Sequence, residues 1–475
     1  MARRTVRAAA GWLTATVVVL TACTGQPAGS SAAPPSVPSS AAPSSAVPSS
    51  AVPSSSGTTP PASGTPSTVP AIPGTSGAAT AADSATATSG GSSASAAPSP
   101  LPSSGPSGTG SPSQFTPVLM QVLSTPRWFT GSDGKAHVVY EVQLTNAFPS
   151  SATLVELSAV DAASGATLAD LRGSALAAAV SPLGRSTERL TEMGGGTVGV
   201  AWMELVVDRP ADVPARIVHR LTVTVPPGYP IPERITSQGA ASEVAAEPAM
   251  SLGPPLRGTG WIAAPSCCDG PHRRALQPID NAEWLAQRFA IDFNKIDARH
   301  LLAGGDPAVN RSWFTYGQDV LAVADATVTA AVDGYRDQTP DAPRPVTIEE
   351  ADGNHVILEV APGRYAFYAH LEPGSVAVRP GQRVRRGDVI GRAGNTGSSS
   401  GPHLHFHLMD RPSALVADGV PFVFDRFTVT GQAPPLDRLI ALDPAKDPVE
   451  VDPAGAGPRT DALPLDGNVV DFPGR

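Results

Sequence analysis

The chain has 475 residues, of which only 16% are charged and 5% aromatic, and it carries 51 prolines and 46 glycines, so part of it lacks the material of an ordinary packed core. Its net charge of −9 argues against nonspecific nucleic-acid binding.

Residues 1–22 read as an export signal: Arg3, Arg4 and Arg7 precede an apolar run, Ala8 to Leu20, that is too short and wrongly flanked to span a membrane. The run ends in "LTAC", which resembles the lipobox of bacterial lipoproteins. That resemblance implies lipidation at Cys23 and an extracytoplasmic protein anchored to the cell membrane, facing the cell wall.

Residues 23–113 are almost entirely Ser, Pro, Ala, Thr and Gly, with a five-residue near-repeat in "VPSSAAPSSAVPSSAVPSSS" and one charged residue, Asp83. Such a composition cannot offset chain entropy by burial and is expected to form a disordered tether. At ~3.1 Å per residue in polyproline II form it would reach up to roughly 280 Å.

From 114 to 226 the pattern turns strand-like. "AHVVYEVQLTN", "TVGVAWMELVVD" and "ARIVHRLTVTV" alternate apolar residues between turn signals, which predicts a small β-sandwich. His137 and His219 are expected to be surface or pairing residues, and the sandwich's ligand is not legible. A linker is expected over 227–256, a second β domain over 257–432, and an acidic, proline-rich, mobile tail over 433–475.

Seven of the nine histidines lie from His272 onward. In "GPHLHFHLMD" (401–410), period-two geometry puts His403, His405 and His407 on one strand face and Leu404, Phe406 and Leu408 on the other. Together with "GNTGSSSG" just before it, "YAHL" at Tyr368–Leu371, "DVLAVADATVTAAVDG" and "VRPGQRVRRGDVIGRAG", this segment resembles the M23 (LytM, lysostaphin-type) zinc metallopeptidases. The resemblance covers roughly Leu276 to Val429, with several separated motifs in the family's order. It implies a mostly antiparallel β peptidase domain, one Zn2+ ion and peptide bonds of peptidoglycan as substrate. It also implies Asp292 and His405 as metal ligands, and His370 and His403 as the catalytic pair.

The family's first ligand is a histidine four residues before the aspartate, where this chain has Arg288. A guanidinium stays protonated and has no lone pair to give a metal. Either Arg288 pairs with Asp292 across a metal-free groove, or another residue supplies the third ligand. His407 is one candidate, although its Cα lies ~6.7 Å along the strand from that of His405. His272 in "CCDGPHRRAL" is a more flexible one. Cys267 and Cys268 beside it offer thiolates or a vicinal disulfide. His300 and Asp297 are expected at the surface, and His355 at a strand entry. The metal-free alternative is a degenerate module that activates a cell-wall hydrolase or binds wall peptide without cutting it.

Overall fold

A computed structural model describes residues 113–474. The export signal, Cys23 and the tether up to residue 112 lie outside the described residues. The chain is mainly β, with antiparallel sheets in two modules packed as one unit.

The first module is the expected sandwich. One sheet orders the strands Val118–Val122, Ala136–Asn146, Val198–Val207 and Val180–Pro182, with Arg127–Thr130 pairing the second of these; the other runs Arg234–Glu243, Arg216–Thr224, Ala152–Asp161 and Thr167–Arg172, with Glu192–Met193 beside the third. Alternation along Ala136–Asn146 sends Val138, Tyr140, Val142 and Leu144 into a core shared with Leu157, Ala159, Leu221 and Val223 of the facing sheet. Fully burying such side chains stabilises by about 1.5–3 kcal/mol each. The opposite face of the same strand, with His137, Val139 and Glu141, is buried too, because it abuts the second module.

The second module is built on a ten-stranded antiparallel sheet. Its order is Arg383–Val384, Ala326–Val332, His355–Ala361, Arg364–Ala369, Leu404–Met409, Ile291–Lys295, Gly258–Ala263, Asn468–Phe472, Phe427–Gln432 and Gly457–Arg459. Leu404, Phe406 and Leu408 face a core with Phe293, Phe422 and Phe424, as their spacing predicts.

Two expectations are corrected. Residues 227–256 are not a loose linker: Arg234–Glu243 is a strand of the sandwich, paired with Arg216–Thr224, and Met250–Leu252 pairs in parallel with Phe422–Phe424. Nor is 433–475 a mobile tail as far as it is described. Asn468–Phe472 lies inside the large sheet between Gly258–Ala263 and Phe427–Gln432. Its low-complexity flanks hide a five-residue strand, NVVDF, that is too short to register as a pattern by itself.

Candidate active site

The site sits where the central strands of the large sheet meet. Leu404–Met409 pairs with Ile291–Lys295 so that His405 lies opposite Asp292, and with Arg364–Ala369 so that His405 also lies opposite Ala369, one residue before His370. Backbone register alone therefore collects Asp292, His370 and His405, which are distant in sequence.

Each imidazole is oriented by a specific partner. His370 Nδ1 is 2.7 Å from the Thr396 carbonyl and His403 Nδ1 is 2.9 Å from the Gly401 carbonyl. A carbonyl only accepts, so both rings carry a proton on Nδ1 and turn Nε2 toward the site, their centroids 4.7 Å apart. His370 has φ +61°, a left-handed turn that swings its ring off the end of the strand. The loop that supplies Thr396 depends on Gly397, where φ is +78° and a Cβ would come within 2.4 Å of the Ala351 carbonyl oxygen.

Asp292 is the hub. Its Oδ1 lies 2.9 Å from His405 Nδ1, and its Oδ2 lies 3.3 Å from His272 Nε2 and 3.5 Å from His403 Nε2. Burial would raise this carboxyl, but the neighbouring His272 and His403 imidazoles and the hydrogen bond from His405 outweigh it, holding the group well below the usual carboxylate range. Burial lowers His405 to about 4 against the pull of Asp292. It also lowers His370 well below its ordinary value, helped by the nearby His403 and His405. At neutral pH, then, these two rings are neutral bases facing an ionised carboxylate.

Of three sets of ligand-type atoms that each converge within 4.8 Å among the described residues, two lie here, His272 with Asp292 and His405 and His370 with His403 and His405; the third, His137 with Glu204 and Cys268, includes a disulfide-bonded cysteine. His272 is buried and its Nδ1 has no hydrogen-bond partner among the described residues, while its Nε2 and that of His403 reach only Asp292 Oδ2 and without hydrogen-bond geometry. Buried imidazole nitrogens left unpaired around a carboxylate fit a cation. The donor set of two nitrogens and one oxygen suits zinc and leaves room for a fourth ligand.

His407 does not join either cluster. Its Nδ1 lies 3.0 Å from His405 Nε2 and its ring packs 4.8 Å from that of Phe367, so the strand geometry puts it behind His405. It can accept the His405 Nε2–H when His405 Nδ1 gives up its proton to engage a cation.

Arg288 does not pair with Asp292 either. It precedes the strand and turns toward the sandwich, where its Nε and Nη2 each lie 2.9 Å from a Glu141 carboxylate oxygen, and Nη1 donates to the Gly419 carbonyl. It is His272 that reaches Asp292, its Nε2 3.3 Å from Oδ2. The segment carrying His272 is fixed at several points. Arg273 donates to the Cys268, Tyr140 and Met203 carbonyls, the latter two in the sandwich. Ser266 is held by Asp466 and the Pro464 carbonyl of the C-terminal segment. Cys267 and Cys268 form a vicinal disulfide and so offer no thiolate.

The remaining histidines are structural. Of the two expectations for His137 and His219, pairing holds and surface exposure does not: both are buried, His137 between Glu204 and Asp133 and His219 against the Tyr140 hydroxyl. His300 is exposed, and His355 opens a strand as expected.

An antiparallel sheet presenting a buried His/Asp cluster beside two further imidazoles has the make-up of a metal-dependent hydrolase centre. Residues 313–416 match Peptidase family M23, and this part of the chain is an M23-type domain. The match contains His370, His403 and His405, while Asp292 and His272 lie upstream of it. Among curated proteins, the chain is 42% identical over 59 residues to the peptidoglycan DD-endopeptidase ShyA of Vibrio cholerae, covering 12% of this chain and 13% of that one. It is 26% identical over 122 residues to ShyC of the same organism, covering 26% of each. It is 32% identical over 90 residues to the cell division protein DipM of Caulobacter vibrioides, covering 19% of this chain and 12% of that one. The chain thus spans only 12% to 26% of the length of these relatives. The catalytic domain of lysostaphin from Staphylococcus simulans aligns at 20% identity over 36% of this chain and 88% of that one, with a TM-score of 0.18, a likeness too loose to add to the reading.

Proposed function

We propose that this protein is a cell-envelope zinc metalloendopeptidase that hydrolyses amide bonds in peptidoglycan peptides, with Asp292, His405 and His272 holding the ion. The observation that carries this reading is the convergence of His272, Asp292 and His405, which supplies a third ligand where Arg288 would otherwise leave the site one short. Zinc held there would contribute Lewis acidity toward an amide carbonyl and acidify water. His370 and His403, with Nε2 turned toward the site and Nδ1 anchored on carbonyls, would accept a proton from the attacking water, steady the developing oxyanion and return a proton to the leaving amine. Similarity to proteins named as peptidoglycan DD-endopeptidases supports the substrate class. Lipidation at Cys23 and the tether over 23–113 would hold the enzyme at the membrane while letting it reach the wall. The filled ligand position weighs against the degenerate reading, in which the module only activates a cell-wall hydrolase.

The test is zinc content and digestion of purified wall peptides by the same preparation. One zinc per chain is expected, with cleavage that falls by about 10²–10⁴ in His370→Ala and His403→Ala while zinc stays bound. A chain that takes up no stoichiometric zinc after refolding with the metal would overturn the enzyme in favour of the activator.

A further inference from the structure

The third convergent set of ligand-type atoms, His137 with Glu204 and Cys268, joins the two modules. His137 and Glu204 come from neighbouring strands of the sandwich, Ala136–Asn146 and Val198–Val207, and Glu204 stands two residues from Val206, which lies opposite His137. Period two puts such a diagonal pair on one face of the sheet, within reach of each other. Cys268 approaches that face from the second module, so that a His137 ring nitrogen, a Glu204 carboxylate oxygen and Cys268 Sγ all lie within 4.8 Å of one another.

In the oxidised chain His137 only bridges two carboxylates, yet its ring is held as a metal-bound imidazole would be. Nδ1 lies 2.8 Å from Glu204 Oε1, and Nε2 lies 3.1 Å from Asp133 Oδ1. A carboxylate behind the far nitrogen fixes the tautomer and makes the near one a better donor to a metal. The ring also stacks on that of Phe129, centroids 5.3 Å apart, which fixes its plane. Burial lowers the His137 pKa, but Glu204 and Asp133 raise it further, so the pocket favours positive charge at this ring. Arg273 donates to the Cys268 carbonyl, and a fixed cation beside a cysteine favours thiolate over thiol. Thiolate, carboxylate and neutral imidazole together balance the charge of one divalent ion, and this sulfur, oxygen and nitrogen set suits zinc with a fourth position open. The Glu204 and Asp133 side chains are part-exposed, so an ion can enter from solvent on that side.

We propose that the Cys267–Cys268 disulfide masks a second divalent-cation site, and that reduction by a dithiol opens it to zinc on Cys268 Sγ, His137 Nδ1 and the Glu204 carboxylate. The dithiol supplies two electrons and two protons: the Cys267–Cys268 S–S bond breaks, each sulfur takes a proton, and the reductant leaves as its own disulfide. Cys268 and His137 Nδ1 then release their protons to solvent as the ion binds. A sulfur in a disulfide is no thiolate, so the bond and the ion exclude one another. The site shares no residue with the cluster of His272, Asp292 and His405, and it stands whether or not that cluster holds zinc. Its ligands come from both modules, so the bound ion would tie the sandwich to the second module under reducing conditions.

The experiment titrates cobalt(II), a zinc surrogate whose bond to a thiolate gives an ultraviolet charge-transfer band, into the full chain before and after treatment with a dithiol that is then removed without air. The band is expected only after reduction, saturating at one equivalent per chain. Cys267→Ala, which leaves Cys268 without its disulfide partner, should show the band with no reductant at all. Cys268→Ser should lose it, although Cys267 and the chain's one other cysteine, Cys23, keep their thiols. Glu204→Gln, a part-exposed position where the shape is kept, should weaken cobalt binding at least about tenfold. A reduced wild type and a Cys267→Ala variant that both lack the band overturn the proposal, as does a band that persists in Cys268→Ser or an affinity unmoved by Glu204→Gln. The cluster of His272, Asp292 and His405 contains no sulfur, so metal bound there adds nothing to this band, and the zinc content of the oxidised chain reports on it separately.

Discussion

At the scale of single residues, the proposed site turns on which side chain stands in for the histidine that the M23 pattern would place where this chain has Arg288. Arg288 is neither a defect nor a groove counter-ion to Asp292, since its guanidinium is spent on Glu141 across the module interface. In the proposed zinc site His272 takes that role, and His407 stands one ring behind. The two histidines are predicted to behave differently. His272→Ala should abolish stoichiometric zinc binding, because two protein ligands compete poorly with water. His407→Phe should keep the ion but weaken it by about 10–100-fold, through loss of the acceptor that fixes the His405 tautomer. Chelator competition followed by metal analysis separates the two, and zinc retention in His272→Ala would return the third ligand to the strand. The His403/His405 alternation was readable directly, since period two is a property of the strand alone. The choice between His272 and His407 was not, because a loop 130 residues upstream of the strand folds over it.

At the scale of elements, the least promising stretch of sequence became an interior strand. Phe472 is buried with its ring among those of Phe293, Phe424 and Phe427, and Asn468–Phe472 hydrogen-bonds on both sides. Phe472→Ala is therefore expected to destabilise the protein by about 3–5 kcal/mol in urea unfolding, the usual cost of deleting a buried phenyl ring. A mobile tail would show no change. The same segment ties down the ligand loop, because Asp466 and Pro464 hold Ser266 five residues before Pro271 and six before His272. The sandwich strands were legible because each is long and alternates; Arg234–Glu243 was missed because Ser, Gly and Ala dilute its pattern, and pairing with Arg216–Thr224 stabilises it instead.

At the scale of the whole molecule, the modules are joined through charged groups that have left water. The Arg288–Glu141 pair is almost fully buried, so Glu141→Leu alone should cost about 3–5 kcal/mol by leaving the guanidinium with only the more distant Asp418 carboxylate, 3.6 Å away, whereas Glu141→Leu with Arg288→Met should recover most of that loss. Thermal unfolding of the two variants checks this; equal destabilisation would mean that the pair does not couple the modules. Stability should also depend on pH through the sandwich. Burial lowers His219 to about 4, below its ordinary 6.5, with its neutral ring bonded to the Tyr140 hydroxyl and the Ala240 carbonyl. The unfolded chain binds the extra proton between those values, so this contribution is complete above pH 6.5 and lost as pH falls toward 4. It amounts to about 3 kcal/mol. His137 acts oppositely: burial lowers it, but Glu204 and Asp133 raise it further, so its contribution is present below 6.5 and lost as pH rises through the folded value. Melting temperatures of the zinc-free protein between pH 4 and 7 should fall on the acid side, and His219→Gln should flatten that limb.

The sequence by itself determined the β class, the two-module order and the strand that carries His403 and His405, because alternation and turn residues act over a few neighbours. It also exposed the problem at Arg288, since the chemistry of a guanidinium is independent of context. Only the tertiary structure decided how that problem is resolved. Placing His272 against Asp292, Arg288 against Glu141 and a C-terminal strand inside the sheet requires contacts between segments that share no local pattern. Such contacts are fixed by how two sheets and a loop pack, not by the spacing of residues along the chain.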